Sequence, residues 1–422
     1  MTSTGQIRSA GRVAARLSAV VGVALVLFSG APARPAAARA AGRVVAIGDV
    51  HGSDDGFLAM LQAAGLVDQA GHWSGGTATL VQTGDVTDRG AGVKHVLDLV
   101  RALVDEASKS GGRVVPVLGN HEVMNLLGEI RDVTPAICAS FAGPDREATR
   151  EEAWRTYEDL VARRARRRAG EQPPGLSRTL EGFRQAYQPG CVEYRLAMGA
   201  QGDYGKWLRQ LPIVAQVQGT VFMHAGASPL AEPVSLDQLN TRARDEVRRF
   251  DRVLERLVRA DLAAPWFRLE DVLAVAAAEV RWVNARLEAA KERGDTPDLS
   301  DVDVALVREA AEVLRIDTWS LLAGDGPLWY RGYAHADEAT LDAPFAALLK
   351  FWNAERLVVG HTPAPPFRIR ARLQGRLFLI DTGMLTPVYN GTGSALELDA
   401  GRVTALYADG TRTPLVPVPA AP

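Results

Sequence analysis

The sequence predicts an α/β sandwich, with parallel strands joined by helices that pack on them. Three observations predict it. Short apolar runs alternate with runs of helical period through the N-terminal third. Three of those runs end in glycine followed by side chains carrying oxygen or nitrogen donors, as strands do where an α/β sheet meets a cleft. Two longer stretches, rich in alanine, leucine and paired charges, read as helical blocks added to that core.

Taken in order, the first core strand is Arg43–Ile47, entering the turn GDVHG at Gly48–Gly52. Asp54 to Val67 carries Phe57, Leu58, Leu61 and Leu66 at helical spacing. A second strand, Ala78–Val81, leads into GDVTDRG at Gly84–Gly90, the stretch around which the chain is organised. Val93 to Ala107 is an amphipathic helix, with Val93, Val96, Leu97, Val100, Leu103 and Val104 on one face. Gly111-Gly112 opens a third strand, Val114–Leu118, which ends in GNHE at Gly119–Glu122.

A charged helix spans about Pro144 to Arg168, with Glu151/Arg155 and Asp159/Arg163 as opposite charges one turn apart. It closes on the arginine-rich run from Arg163 to Arg168. Acidic residues interleave upstream and no aromatic falls in the run, so it reads as a solvated face, not a polyanion grip. Pro173-Pro174 breaks this helix. The apolar run Ile213–Met223 ends at His224, and a second helical block covers about Leu236 to Leu322. Ala343–Phe351 reads as a short helix with Pro344 in its first turn. The strand Arg356–Val359 precedes Gly360-His361-Thr362, and Arg376 to Tyr407 reads as short strands.

Composition bounds the remaining questions. An apolar fraction of 47% and a net charge of −2 fit a globular protein with no overall pull toward nucleic acid or an anionic membrane. Residues 1–40 read as a signal peptide: Arg8, Arg12 and Arg16, then apolar Leu17–Phe28, then small-residue sites at Ala31-Pro32-Ala33 and Ala38-Arg39-Ala40. The apolar run is shorter than the roughly 20 residues of a spanning helix. Export to the periplasm or the exterior is expected, with no stable membrane span after cleavage. Residues 41–412 then form one domain with helical cap insertions at about 144–190 and 232–322, and 413–422 form a disordered tail. Cys138 and Cys191 flank the first insertion, and no third cysteine competes. In an oxidising compartment they can pair, adding about 4 kcal/mol through the loop they close; the alternative is two free thiols. The sequence gives no reading of oligomeric state.

The donor residues suit two metal ions clamping a phosphate ester. Asp49 and His51 can hold the first ion and Asp85 can bridge, while Asn120, His224 and His361 can hold the second. Mixed carboxylate, amide and imidazole donors suit divalent manganese first, with iron or zinc as alternatives, over calcium. A hydroxide bridging the ions would be the nucleophile. His121 is placed to be the general acid, Asp88 to hold its ring and Arg89 to fork onto phosphate oxygens. Glu122 reads as a brace for an arginine. Of seven histidines, His51, His121, His224 and His361 fall at apolar-run ends beside glycine or asparagine. His72, His95 and His335 lack that context and read as structural or surface residues.

Together GDVHG, GDVTDRG, GNHE, His224-Ala225-Gly226 and Gly360-His361-Thr362 resemble the calcineurin-like metallophosphoesterases. The full GDVTDRG and GNHE forms are similar to the phosphoprotein phosphatase branch. GNHEVMNLLG (Gly119–Gly128), GPLWYRG (Gly326–Gly332) and IDTGM (Ile380–Met384) resemble the Shewanella-like bacterial-type protein phosphatases. The resemblance implies two central sheets flanked by helices and the same ligand set around a dinuclear centre. It also implies that Arg331 joins Arg89 and Asn120 in binding the phosphate, a role the residues alone do not suggest for Arg331. The expected activity is phosphate monoester hydrolysis, on a phosphorylated protein or peptide (Ser/Thr or Tyr) or a small phosphate ester, with no nucleic acid partner. A diadenosine tetraphosphate hydrolase is the alternative enzyme, sharing the branch and most motifs. A catalytically silent metal-binding module is the alternative from another class, and the presence of every expected ligand and of His121 argues against it.

Overall fold

The computed structural model describes residues 42–167, 176 and 178–416. The segment read as a signal peptide and the Pro173-Pro174 break lie outside those residues. The first part of the chain alternates as its pattern requires: β1 (Val44–Ile47), α1 (Asp54–Ala63), β2 (Thr79–Gln82), α2 (Val93–Lys109) and β3 (Arg113–Pro116). Short helices follow: α3 (Asn120–Leu126) and α4 (Pro135–Ser140). The first helical block is α5 (Arg146–Arg167), α6 (Leu180–Ala186), α7 (Cys191–Met198) and α8 (Asp203–Leu208). After β4 (Val214–Val217) and β5 (Thr220–Met223) comes the second block, α9 (Leu236–Arg259), α10 (Leu269–Arg293) and α11 (Val304–Val313). The chain then runs through α12 (Gly332–His335), α13 (Glu338–Phe351), β6 (Arg356–Val359), β7 (Arg370–Arg372), β8 (Leu377–Leu379) and α14 (Thr386–Tyr389). It closes with β9 (Ser394–Asp399), β10 (Arg402–Tyr407) and β11 (Arg412–Val416).

These strands make two mixed sheets. One has six strands in the order β11-β10-β9-β1-β2-β3, the other five in the order β4-β5-β6-β8-β7. The centre of each is parallel: β1, β2 and β3 in the first, β5, β6 and β8 in the second. The period-2 geometry of a strand then sorts its residues into two layers. Val44, Ala46, Val81, Val115, Phe222, Val358 and Phe378 form the layer between the sheets. Their neighbours Val45, Ile47, Leu80, Val114, Val221, Leu357 and Leu377 join the apolar faces of the helices. Four-residue strands buried on both faces read as continuous apolar runs, which is why alternation is invisible in the sequence. In α2 the expected stripe is buried from Val93 to Leu103.

Several expectations are corrected. Ile213–Met223 is not one run but a hairpin, because Gln218 (φ 49°) and Gly219 (φ 75°) turn the chain in the left-handed region. Pro344 does not start a helix: α13 begins at Glu338 and carries the proline inside it. The buried Leu341, Phe345, Leu348 and Leu349 hold that helix in place despite the missing N–H. The tail expected to be disordered from 413 instead begins as part of β11, an edge strand on which Pro414 is tolerated; residues 417–422 lie outside the description. The arginine run is not a uniformly solvated face either, since Arg164 is buried and paired with Glu279. Cys138 in α4 and Cys191 at the start of α7 form a disulfide, 53 positions apart in sequence. Among the described residues no helix is long and apolar enough to cross a membrane.

Candidate metal centre

The parallel strands of both sheets deliver their C-terminal ends to one place. From the first sheet come the turns after β1, β2 and β3; from the second come His224 after β5, His361 after β6 and Asp381 after β8. Backbone hydrogen bonds stitch the turns together. Val50 N and His51 N both donate to the Asp85 carbonyl at 2.9 Å, and Gly52 N donates to Val86 O. His51, Asp85, Asp88, Arg89 and His361 all have positive φ, a sparsely populated state that persists only where surrounding structure holds it.

Glu122 is what holds it around β2 and β3. Its Oε2 accepts from Asp85 N and Gly119 N, each at 2.8 Å. Its Oε1 accepts from Val86 N, Thr87 N and the Thr87 hydroxyl at 2.8–2.9 Å. The brace expected for an arginine is therefore a brace for the backbone of GDVTDRG. Gly119 is needed there for space, since a Cβ would collide with Asp85 Oδ1.

The donor atoms converge around Asp85. Its Oδ2 lies 3.5 Å from His51 Nε2, 3.3 Å from His224 Nε2 and 3.9 Å from His121 Nε2. Two three-residue sets share it: His51, Asp85 and His121, and Asp85, His224 and His361. His224 Nε2 is also 2.8 Å from Asn120 Oδ1 and 3.0 Å from His361 Nδ1. Nδ1 of His51 faces the Thr87 carbonyl and Nδ1 of His224 faces the Thr83 carbonyl, both at 3.0 Å. A carbonyl accepts only, so each Nδ1 carries a proton and each Nε2 is the nitrogen turned to the centre. Burial lowers the His224 pKa, but Asp85 outweighs it and the net shift is upward, so without an ion its Nε2 can hold a proton toward Asn120 Oδ1. The same 2.8 Å spacing suits two donors on one cation, because donors about 2.1 Å from an ion stand about 3 Å apart. The residues fit divalent ions.

The electrostatics agree. Burial lowers the His51 pKa to about 3, and burial together with His224 lowers that of His361, so both rings are neutral donors. Burial alone would raise Asp85, but His224, His121 and His51 outweigh it and hold the carboxylate well below its usual range. Asp49 is raised well above that range by burial and by the Asp381 and Asp85 charges. Burial pushes Asp381 up to about 6. Asp49 stands somewhat apart from the two three-residue sets: both of its oxygens accept from His361 N, at 3.0 and 3.2 Å, joining the two sheets at the centre.

His121 is fixed from one side. Its Nδ1 is 2.6 Å from Asp88 Oδ2, its backbone N–H donates to Asp85 Oδ1 at 3.1 Å, and its Nε2 turns toward Asp85 Oδ2. Burial lowers its pKa, but Asp85 and the bond to Asp88 more than compensate, and the net shift is upward. Arg89 donates to His51 Nε2 at 2.6 Å and lies over the Tyr389 ring. Arg331, exposed at the edge, donates to the His361 carbonyl at 3.0 Å and to the Thr362 hydroxyl at 3.2 Å. Two guanidinium groups thus flank the donor atoms, a geometry suited to phosphate oxygens.

The structure therefore brings together Asp49, His51, Asp85, Asp88, Arg89, Asn120, His121, His224, Arg331 and His361. His72 and His95 lie on the surface, paired with Glu106 and Asp54, and His335 is exposed. Three neighbours of the site were not read from sequence. Asp381 and Asn125 sit inside quoted motifs without an assigned role; Tyr389, in α14, carries no sequence signal.

The sequence model described as calcineurin-like phosphoesterase matches residues 42–269, more than half of the chain. An uncharacterized Schizosaccharomyces pombe protein is 29% identical over 361 residues, which cover 84% of this chain and 76% of that protein. Shewanella-like protein phosphatase 2 of Arabidopsis thaliana is 30% identical over 216 residues, 49% of this chain and 52% of that protein. Among solved structures, a mutant cold-active protein tyrosine phosphatase superposes with a TM-score of 0.50 at 22% identity, covering 89% of this chain and 80% of its own. That last likeness is one of fold.

Proposed function

The chain belongs to the calcineurin-like phosphoesterase family, hydrolases of phosphate esters, and from that premise we propose that it is a phosphatase acting on phosphate monoesters of phosphorylated proteins, peptides or similar small molecules. The observation that carries the reading is the position of Asp85 Oδ2, shared between the His51 side and the His224/His361 side of one donor cluster.

In this reading Asp49, His51 and Asp85 hold one divalent ion, and Asp85, Asn120, His224 and His361 hold the other. Such ions would supply Lewis acidity to the phosphoryl oxygens and a water activated at neutral pH. Manganese is the first candidate, from the donor chemistry. Arg89 and Arg331 grip phosphate oxygens from opposite sides of the centre, with the Asn120 amide also within its first ring of contacts. His121 Nε2 gives its proton to the departing oxygen while Asp88 holds Nδ1 and stabilises the charged ring. The Cys138–Cys191 bond and the composition of residues 1–40 support an exported protein.

The test is phosphate release by the protein from Ala41 onward, with manganese. The panel holds phosphotyrosine and phosphoserine peptides, a small aryl phosphate and diadenosine tetraphosphate. Release from a monoester, lost in Asp85→Asn together with bound metal, is the expected result. Cleavage of the dinucleotide alone would transfer the assignment to a dinucleoside polyphosphate hydrolase. Metal binding without any turnover would indicate a silent module.

A further inference from the structure

The residue that holds His121 is itself held, and the chain of contacts leads into the first helical block. Asp88 Oδ2 takes the His121 ring; its Oδ1 accepts from Asn125 Nδ2 at 2.8 Å. The same Nδ2 donates to the His121 carbonyl at 2.9 Å, one turn back along α3. Both partners of that nitrogen are acceptors, so the Asn125 amide can stand only one way round. Its Oδ1 then points away from Asp88 and accepts the Tyr194 hydroxyl at 2.7 Å. Burial and the nearby Asp88 charge raise the Tyr194 pKa well above its ordinary value, which keeps the phenol a donor. Asp88, Asn125 and Tyr194 are all fully buried. Arg195, next to Tyr194, donates to the Asn125 carbonyl at 2.7 Å, so α7 grips this residue at both backbone and side chain. The first residue of α7 is tied to α4 by the disulfide.

We propose that Asn125 and Tyr194 are positioning residues for the proton donor: they act through Asp88 to fix the direction of the His121 ring. Asp88 has two oxygens and two obligations. With Oδ1 engaged by Asn125, the carboxylate cannot turn, and Oδ2 stays in line with Nδ1. Removing the Tyr194 hydroxyl leaves the Asn125 amide held through Nδ2 alone, with its buried Oδ1 unpartnered, and its hold on Asp88 slackens. Helix α7, part of a block that supplies none of the metal donors, thereby sets the geometry of proton transfer. This rests on the phosphatase reading above for its catalytic consequence, but not for the hydrogen-bond chain.

The discriminating variant is Tyr194→Phe, which keeps the ring and its edge contact with Phe141 and removes one oxygen. Asn125→Ala is the harsher companion. Turnover is compared on two esters, phenyl phosphate, whose leaving oxygen needs a proton, and dinitrophenyl phosphate, whose leaving oxygen does not. In Tyr194→Phe, kcat on phenyl phosphate should fall about tenfold, while dinitrophenyl phosphate should change by less than about twofold. KM and bound metal per chain should match the parent. An equal fall on both esters would overturn the proposal, since a general loosening of the site does not distinguish leaving groups.

The second readout needs no turnover. In the zinc-loaded protein, the imidazole N–H shared with Asp88 should give a downfield proton resonance that vanishes in His121→Asn. It should shift or broaden in Tyr194→Phe, and an unchanged resonance would overturn the proposal. If the parent protein hydrolyses neither these esters nor a phosphopeptide, the phosphatase reading falls and this resonance alone decides the positioning role.

Discussion

Glu122→Gln is the sharpest test of how the centre is built. The substitution keeps size and shape and changes one oxygen to an NH2 group. Glu122 accepts five hydrogen bonds, three at Oε1 and two at Oε2. Glutamine can keep its carbonyl on the three-donor side, formed by Val86 N, Thr87 N and the Thr87 hydroxyl. Its NH2 then faces Asp85 N and Gly119 N, donor against donor. Each of these buried N–H groups loses its partner at a cost of about 1–3 kcal/mol, so the expected loss is about 4 kcal/mol. That is a large share of a domain stability of about 5–15 kcal/mol. Equilibrium urea unfolding, run with chelator on both proteins so that metal linkage does not enter, should show the midpoint falling by about 1.3 M for a slope near 3 kcal/mol/M. A fall under about 0.3 M would refute the reasoning, because Glu122 would then be a bystander and the turn would be held by its own backbone.

Three further outcomes are expected. His121→Asn should lower kcat on a poor leaving group by about 10²–10⁴-fold with bound metal unchanged; metal loss in this variant would make His121 a ligand instead. Reducing the Cys138–Cys191 bond, or replacing both cysteines by alanine, should cost about 4 kcal/mol in the same unfolding assay. Two titratable thiols in the untreated, denatured protein would contradict the bond itself. Bound divalent metal should be lost as pH falls: Asp381, pushed to about 6 by burial, and Asp49, raised by burial and by its carboxylate neighbours, take up protons sooner than ordinary carboxylates. Protons and cations compete for the same oxygens, so metal content measured after dialysis at about pH 5 should be well below that at pH 7. Full retention at the lower pH would refute the competition.

How much of this could be read beforehand depended on whether the cause was local. The strand ends carrying Asp49, Asp85 and Asn120 were legible because glycine, apolar run and donor side chain lie within a few residues of one another. The meeting of His224 and His361 with them was legible only through the motif order, since nothing local says that two sheets bring their strand ends together. The role of Glu122 is not legible in the sequence because four of its five donors are backbone N–H groups, which leave no trace in residue identity. The hairpin at Gln218-Gly219 leaves one local signal, a glycine inside an apolar run. Pro344 and Pro414 misled in opposite ways. One stands inside a helix that burial of Leu341 and Phe345 sustains; the other stands on a sheet edge where a missing N–H faces no partner strand. Tyr194 and Asn125 are separated by 69 positions, and only the folded chain shows that they touch.

The hydrogen bond from His361 N to Asp49 spans 312 positions. It sets an order of events during biogenesis. The turn after β1 is made long before its partner, which appears only once β6 has been added. Contacts of such separation form late, after the loop between them has been closed by other means. An ion site closed that late is poorly placed to seed folding, as zinc does in small finger domains. Ions bound there would enter a scaffold whose apolar layer between the sheets already stands. A protein built in this order would lose its chemistry before its shape when metal is scarce.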